Sequence, residues 1–468
     1  TQDFQVHERA WKQYLIHVDG QHLDENATRR LVDSTSVIGS EHVLNDRYIP
    51  FTRILRRNYD WKGWAASMVD RLCWDPKTRT HAACGDIDSY VVPKSHRVKV
   101  WLTARDKNTL YAEYNCNWRV NNGDPETVPC DEPTSLDVPW PSGATISVSV
   151  EGEPGSTDIQ VKDLLIAGLG DSFASGEGNP DVPVAFSEEG RFRNLYPRRA
   201  RNDGGGSAEW MDETCHRSLY GHQLRAALQI AVENPHASVT FLGFSCSGAS
   251  VDDGIIGPQE HVEYESRNGQ VAAVSGSTKD TQLRWLLREL CRDKPKQKDG
   301  NWICPDDNFR RNVDLLFLSI GGNDIGFSSL VTWATLRDNV TSTLAKYFGA
   351  TTSPKQFAAN MKDDLPGDYG RLAKALEQAV PLRDPDVGFD ASRVILSAYP
   401  DILEDENGSV CPAGEEGVDE DLYPANQSLD IWSSWLVVTP KRLTAAHDQL
   451  EALHKRMSEL AEDHGWHF

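Results

Sequence analysis

The sequence contains no apolar run approaching the roughly 20 residues of a membrane-spanning helix, so no transmembrane segment is expected. Its polar start, Thr1-Gln2-Asp3, also lacks the apolar stretch of a signal peptide, so an exported protein would be in its mature form here. Basic residues are scarce: 48 Lys and Arg stand against 70 Asp and Glu, a net charge of −22. Such a balance opposes binding to polyphosphates and to anionic membrane surfaces, which makes nucleic acid an unexpected partner. No two cysteines show the two-residue spacing of a zinc knuckle, and neither His-Glu-x-x-His nor a phosphate-binding Gly-x-x-x-x-Gly-Lys loop occurs. A Gly-x-Ser-x-Gly elbow is missing too, because Gly243-Phe244-Ser245-Cys246-Ser247 ends in serine. No cofactor and no metal are therefore expected. Internal repeats and low-complexity tracts are absent as well.

What is present begins with nine cysteines, at 73, 84, 116, 130, 215, 246, 291, 304 and 411. Proximity in sequence suggests the bridges Cys73/Cys84, Cys116/Cys130 and Cys291/Cys304, and disulfides imply an oxidising, secreted or extracytoplasmic setting. At 468 residues the chain exceeds one ordinary domain, which suggests two domains or one with heavy insertions.

The texture changes along the chain. Residues 1–160 read as an N-terminal β-rich, sandwich-like domain suited to substrate or carbohydrate binding. Its first 80 residues are the least legible, with a helix suggested over Ala65 to Leu72. Between about 85 and 160 the period is two: Ile146, Val148 and Val150 alternate with Ser147 and Ser149, and Leu110, Ala112, Tyr114, Cys116 and Trp118 share another face. Turn-formers such as Asn121-Asn122-Gly123-Asp124-Pro125 punctuate these strands.

Residues 161–468 alternate short apolar strands with helical patterns, as a parallel α/β sheet does. The expected strands are Leu164–Ala167, Val239–Phe244, Val313–Ile320 and Arg393–Ala398, apolar enough to be covered on both faces. One helical stripe joins Tyr220, Leu224, Ala227, Leu228 and Ala231, and a longer one joins Leu443, Ala446, Leu450, Leu453, Met457 and Leu460. Polar stretches at 185–212, 251–280 and 292–311 read as insertions.

Three of the strands run into small, polar clusters. The first leads into Gly170-Asp171-Ser172, the second into Ser245-Cys246-Ser247-Gly248-Ala249, and the third into Gly321-Gly322-Asn323-Asp324. Parallel sheets build their sites at carboxyl ends of strands, so neighbouring strands would bring a serine hydroxyl, a bare glycine N–H and an asparagine amide to one edge. Each cluster alone is ordinary turn chemistry; three on one edge are a poor coincidence.

In this order the motifs resemble the SGNH (GDSL) hydrolase superfamily, over about two thirds of the chain. The resemblance implies a flavodoxin-like three-layer α/β/α domain with a parallel sheet. It makes Ser172 the nucleophile, with the oxyanion hole formed by the N–H groups of Ser172 and Gly248 and the amide of Asn323. The reaction implied is ester hydrolysis through an acyl-enzyme. Cys215-His216-Arg217-Ser218 and Cys246-Ser247-Gly248-Ala249 are similar to secreted, disulfide-bonded actinomycete-type esterases and lipases, which implies a Cys215–Cys246 bridge.

One element of that pattern is missing. The family carries its histidine base in an Asp-x-x-His segment near the C-terminus, and here the only such segment is Asp19-Gly20-Gln21-His22, ahead of the nucleophile. The last helix stops at Gly465, Trp466-His467-Phe468 reads as the start of another strand, and Cys411 has no evident partner. These features suggest a second chain or C-terminal fragment carrying the catalytic histidine. The candidates within the chain are His464, His467, His216 and His222, the last two with no paired carboxylate evident. The competing reading is an inactive esterase scaffold acting as a carbohydrate-binding or adhesive protein, favoured by the absent base and by 14 tryptophans. Retention of serine, glycine and asparagine together favours the enzyme. Acylated polysaccharide, a lipid ester or a small acyl ester would all suit as substrate, and the β-rich domain leans toward carbohydrate.

Overall fold

The computed structural model describes residues 4–11, 87–102, 114–130, 134–177, 179–181, 210–212, 214–233, 237–259, 262–267, 270–274, 280–327, 330, 352–384, 388–400 and 440–468. The expected helix at 65–72, the Cys73/Cys84 bridge, Asp19–His22 and Cys411 all lie outside these residues. The chain divides into two compact units, one comprising Thr1–Ile166, Leu224–Leu242 and Arg310–Asp314, the other Ala167–Gln223, Gly243–Phe309 and Leu315–Phe468.

The first unit opens with β1 (Phe4–Trp11), α1 (Ile87–Val91) and β2 (Ser95–Leu102), followed by β3 (Asn115–Val120), β4 (Glu126–Pro129), β5 (Thr134–Pro139), β6 (Ala144–Val150) and β7 (Glu153–Ile159). Two antiparallel sheets result, ordered β1-β2-β5 and β4-β3-β6-β7. Period two in the sequence is what makes each sheet one-sided: Ile146, Val148 and Val150 are buried while the residues between them are not. They pack with Cys116 and Trp118 of β3, Val98 and Val100 of β2, and Leu136 and Val138 of β5 in one core cluster. The Cys116–Cys130 disulfide pins β3 to the strand-end beside it.

The parallel region begins with β8 (Lys162–Gly170), α2 (Ser172–Ser175), α3 (His222–Glu233) and β9 (Ala237–Gly243). Next come β10 (Val262–Arg267), β11 (Gln270–Val274), α4 (Gln282–Leu290), β12 (Lys296–Lys298) and β13 (Asn301–Ile303). The remainder is β14 (Leu315–Ser319), α5 (Gly322–Ile325), α6 (Pro354–Asp363), α7 (Leu365–Ala379), β15 (Arg383–Asp384), β16 (Gly388–Phe389), β17 (Val394–Leu396) and α8 (Pro440–Asp463). Four of these strands form one sheet in the order β17-β14-β8-β9, and they coincide with the four expected from apolar content. His467 then bridges Ile395 in parallel, as the strand-like Trp466-His467-Phe468 suggested. In chain order the sheet therefore runs 2-1-3-4-5.

One expectation needed correction: Tyr220, expected in a helical stripe with Leu224, precedes α3, which begins at His222. The polar stretches at 251–280 and 292–311 carry the hairpins β10–β11 and β12–β13, the latter running into Cys304 of the Cys291–Cys304 disulfide. The long stripe of α8 behaves as its spacing requires: Leu443, Leu450, Leu453, Met457 and Leu460 are all buried. Each such side chain contributes roughly 2 kcal/mol relative to exposure. Among the described residues no helix is long and apolar enough to cross a membrane.

Candidate active site

Three adjacent strands end together, and backbone rungs fix how. Phe244 and Cys246 donate to the carbonyls of Gly168 and Gly170 at 2.8 and 3.0 Å, and Asp171 donates to the Ser319 carbonyl at 2.9 Å. Ser172, Gly248 and Asn323 follow these rungs by one, two and four residues, so all three leave the same edge of the sheet. The sequence-predicted residues are thus brought to the carboxyl ends of β8, β9 and β14. Strand order changes direction between β8 and β14, which is the crevice where open parallel sheets bind ligands.

Ser172 is the first residue of α2. Asp171 caps that helix, its Oδ1 accepting from the Phe173 N–H at 3.1 Å, and Ser172 is half-buried. The turn is gripped from the other side by Gln282, whose amide accepts from the Gly170 N–H at 2.9 Å and donates to its carbonyl at 2.7 Å. Among the described residues Ser172 Oγ has no hydrogen-bond partner. Gly248 sits at φ +84°, a left-handed conformation that a side chain would strain. Asn323 donates one amide hydrogen to the Ala249 carbonyl at 2.8 Å, which ties its loop to that of Gly248 and leaves its second amide hydrogen for another acceptor.

Buried acids surround this edge. Asp171 accepts from Tyr399, whose hydroxyl in turn accepts from the Gly322 N–H at 2.8 Å. Burial pushes the Asp171 carboxyl up to about 7, against hydrogen bonds from Tyr399 and the Phe173 and Ala174 backbone that pull it down. Burial likewise pushes Asp324 to about 7; its Oδ1 accepts from the Val251 N–H at 2.9 Å, while its Oδ2 is shut off from solvent without a partner. Tyr369 donates to the Ile320 carbonyl at 2.8 Å, and burial holds its phenol neutral.

The four candidate histidines all have partners other than Ser172. His216 Nδ1 lies 2.8 Å from Glu177 Oε2, so the carboxylate partner that local sequence did not reveal does exist, 39 residues away. Its ring stacks on Trp210 at 4.8 Å. His222 stacks on Phe173 at 4.2 Å, with Nδ1 3.2 Å from the Phe173 carbonyl and Nε2 3.0 Å from Ser397 Oγ, and burial lowers its pKa. His464 lies against Trp466, and His467 is exposed beside β17. Sequence reasoning also missed Tyr399 and Gln282, which reach the site region only through the fold, and the pairing of Glu177 with His216.

The Cys215–Cys246 disulfide joins the segment before α3 to the strand end that leads to Gly248, and the Ser247 N–H reinforces it by donating to the Cys215 carbonyl at 3.0 Å. Among the described residues no group of three or more His, Cys, Asp or Glu side chains could hold a metal ion.

No family model matches the sequence, and no curated protein matches it. Solved structures do. Three of them are similar to parts of this chain at low identity. One is an extracellular lipase from Streptomyces rimosus, at 16% identity and a TM-score of 0.33, covering 65% of this chain and 79% of that one. Another is a phospholipase A1 from Streptomyces albidoflavus, at 18% identity and a TM-score of 0.30, covering 65% and 77%. A third is a carbohydrate esterase whose active site displays divergent catalytic and non-catalytic binding functions, at 11% identity and a TM-score of 0.21, covering 65% and 73%.

Proposed function

We propose that the protein is an extracytoplasmic serine esterase that hydrolyses carboxylic esters through an acyl-enzyme on Ser172, within a flavodoxin-like SGNH domain. The observation that carries this reading is the Asn323-to-Ala249 hydrogen bond beside Gly248, at the sheet edge from which Ser172 also projects. In the reaction Ser172 Oγ adds to the ester carbonyl carbon while its proton passes to a base. Negative charge then collects on the carbonyl oxygen, facing the N–H groups of Ser172 and Gly248 and the free amide hydrogen of Asn323. Each preorganised donor is worth about 3 kcal/mol in such a site. Collapse expels the alcohol with the proton, and water repeats the sequence on the acyl-enzyme.

The base in this reading is a histidine; among the described residues none of His216, His222, His464 and His467 is bonded to Ser172. The three disulfides of the described residues fit an oxidising compartment. The division into a β-rich domain, residues 1–160, and a hydrolase domain, residues 161–468, belongs to the same proposal, and it favours acyl or acetyl groups on carbohydrate as substrate over lipid esters.

Hydrolysis of p-nitrophenyl acetate and longer esters, with and without a serine-directed phosphonate, tests the assignment on protein of known intact mass and chain composition. Turnover that phosphonate abolishes, with the label on Ser172 and no turnover in Ser172→Ala, is the expected result. The second reading, a binding scaffold on an esterase fold, predicts neither turnover nor label.

A further inference from the structure

Tyr399 stands three residues beyond the end of β17, at the same edge of the sheet, and only 6% of it is exposed. Its hydroxyl has one hydrogen to give and gives it to Asp171 Oδ2, while its oxygen accepts from the Gly322 N–H at 2.8 Å. One phenol oxygen therefore joins the residue before Ser172 to the residue before Asn323. Both ends are fixed in turn: Asp171 accepts from the Phe173 N–H and donates its own N–H to the Ser319 carbonyl, and Asn323 holds Ala249. Glycine at 322 makes the approach possible, since an added Cβ would stand 2.9 Å from both the Tyr399 oxygen and the ring carbon that bears it. The ring is held by Phe327, stacked at 5.5 Å, and by Phe173 at 6.0 Å.

We propose that Tyr399 is a positioning residue of the esterase reaction, fixing the Ser172 turn and the Asn323 turn at one spacing through a single hydroxyl. It touches neither substrate nor the reacting atoms, and the inference rests on the reading of Ser172 as nucleophile. A chain without the hydroxyl would keep the ring's packing but leave the Gly322 N–H and Asp171 Oδ2 without their tyrosine partner in a buried place, where such groups are least tolerated. Nucleophile and oxyanion donor would then drift independently, and misplacement of this kind slows the chemical step more than it weakens substrate binding.

The link also carries charge. The titratable groups facing Asp171 are Tyr399, Tyr369 and Asp324. A donated phenol hydrogen favours the ionised carboxylate, so its removal moves Asp171 further above its ordinary range. A carboxyl raised in the folded state stabilises the fold below its unfolded pKa, and that stability is lost as pH rises through the folded value. In wild type the loss is complete a little above pH 7; without the hydroxyl it continues to higher pH.

The test is Tyr399→Phe in the full-length protein, read by kcat and KM on p-nitrophenyl acetate and by melting temperature from pH 5 to 9. Expected are a ten- to hundredfold fall in kcat with KM within about twofold, and a Tm deficit against wild type that widens above pH 7. An unchanged kcat, or a deficit constant across the pH range, would overturn the proposal. Should the variant not fold, Asp171→Asn reads the same link with Tyr399 in place: a fall in kcat with KM held, and a Tm that declines less between pH 5 and 8, support it, and an unaltered kcat refutes it. A wild-type protein that neither turns over nor takes the phosphonate label would refute the esterase reading and with it the catalytic role, whereas the pH dependence of Tm decides the hydroxyl–carboxylate link by itself.

Discussion

Asn323 and Asp324, consecutive in the chain, grip alternate backbone groups of one loop: the Asn323 amide donates to the Ala249 carbonyl, and Asp324 Oδ1 accepts from the Val251 N–H. The loop so held begins at Gly248, whose φ is left-handed. Two donors of the proposed oxyanion hole are therefore tied to each other rather than placed separately. Asn323→Ala removes one donor outright and releases the other, so kcat should fall by about a hundredfold or more with little change in KM. Steady-state kinetics on p-nitrophenyl acetate checks this, and a variant within threefold of wild type would exclude Asn323 from the site.

Asp324 is expected to be a cost to stability at neutral pH. Its Oδ2 is buried without a partner, and burial raises its pKa to about 7, with Asp368 and Asp171 adding to the shift. The folded protein then holds a proton that the unfolded chain releases near pH 4, so stability is greatest below that pH and is lost as pH rises to about 7. Asp324→Asn keeps an acceptor for the Val251 N–H and removes the charge. Its Tm should match wild type near pH 4 and exceed it by at least about 2 °C at pH 8.5; equal melting at both values would show that the carboxyl is ionised without penalty.

Much of this arrangement was legible in the sequence because it rests on local signals. Near-continuous apolar runs gave the four parallel strands, alternation gave the faces of β6, and small polar residues after three strands marked Ser172, Gly248 and Asn323. Residues that depend on the fold to meet were not legible. Tyr399, in Ala398-Tyr399-Pro400, reads as a strand-end turn, yet its hydroxyl finds Asp171 across 228 positions. Glu177 and His216 are 39 apart, and nothing in either neighbourhood signals the other. Gln282 opens an amphipathic helix, where an amide draws no notice, although its side chain clamps Gly170. The hairpin β12–β13 leaves no strand signal in the sequence because its three-residue strands are too short for alternation to register.

The Cys215–Cys246 disulfide restrains the strand end that leads to Gly248. It closes a loop with a sequence separation of 31, for which chain entropy gives about 3–4 kcal/mol of stabilisation. Replacing both cysteines by alanine should lower Tm by roughly 3–6 °C. Because the bridge also anchors Ser247 through the Cys215 carbonyl, kcat should fall even below the new melting range. Kinetics at 15 °C would separate the two effects: full activity there would mean that the bridge stabilises the fold without shaping the site.

Gly322 makes the sharpest steric demand at the site. Its φ lies outside the left-handed range, so alanine is excluded there by space and not by backbone conformation. The obstruction is the Tyr399 phenol, and Tyr399 cannot retreat, because Phe327 stacks on its ring and Asp171 holds its oxygen. Gly322→Ala should therefore cost about 1–3 kcal/mol through overpacking and push Asn323 outward, lowering kcat as well as Tm. Adding Tyr399→Phe removes the contact with the oxygen but not that with the ring carbon, so the double variant should recover little. Tyr399→Ala clears the space but loses a buried ring, so the relief shows as a smaller Tm cost of Gly322→Ala in that background than in wild type. Thermal melts and kinetics of these variants check the ordering, and an alanine at 322 that costs nothing in wild type would show that the turn relaxes away from the tyrosine.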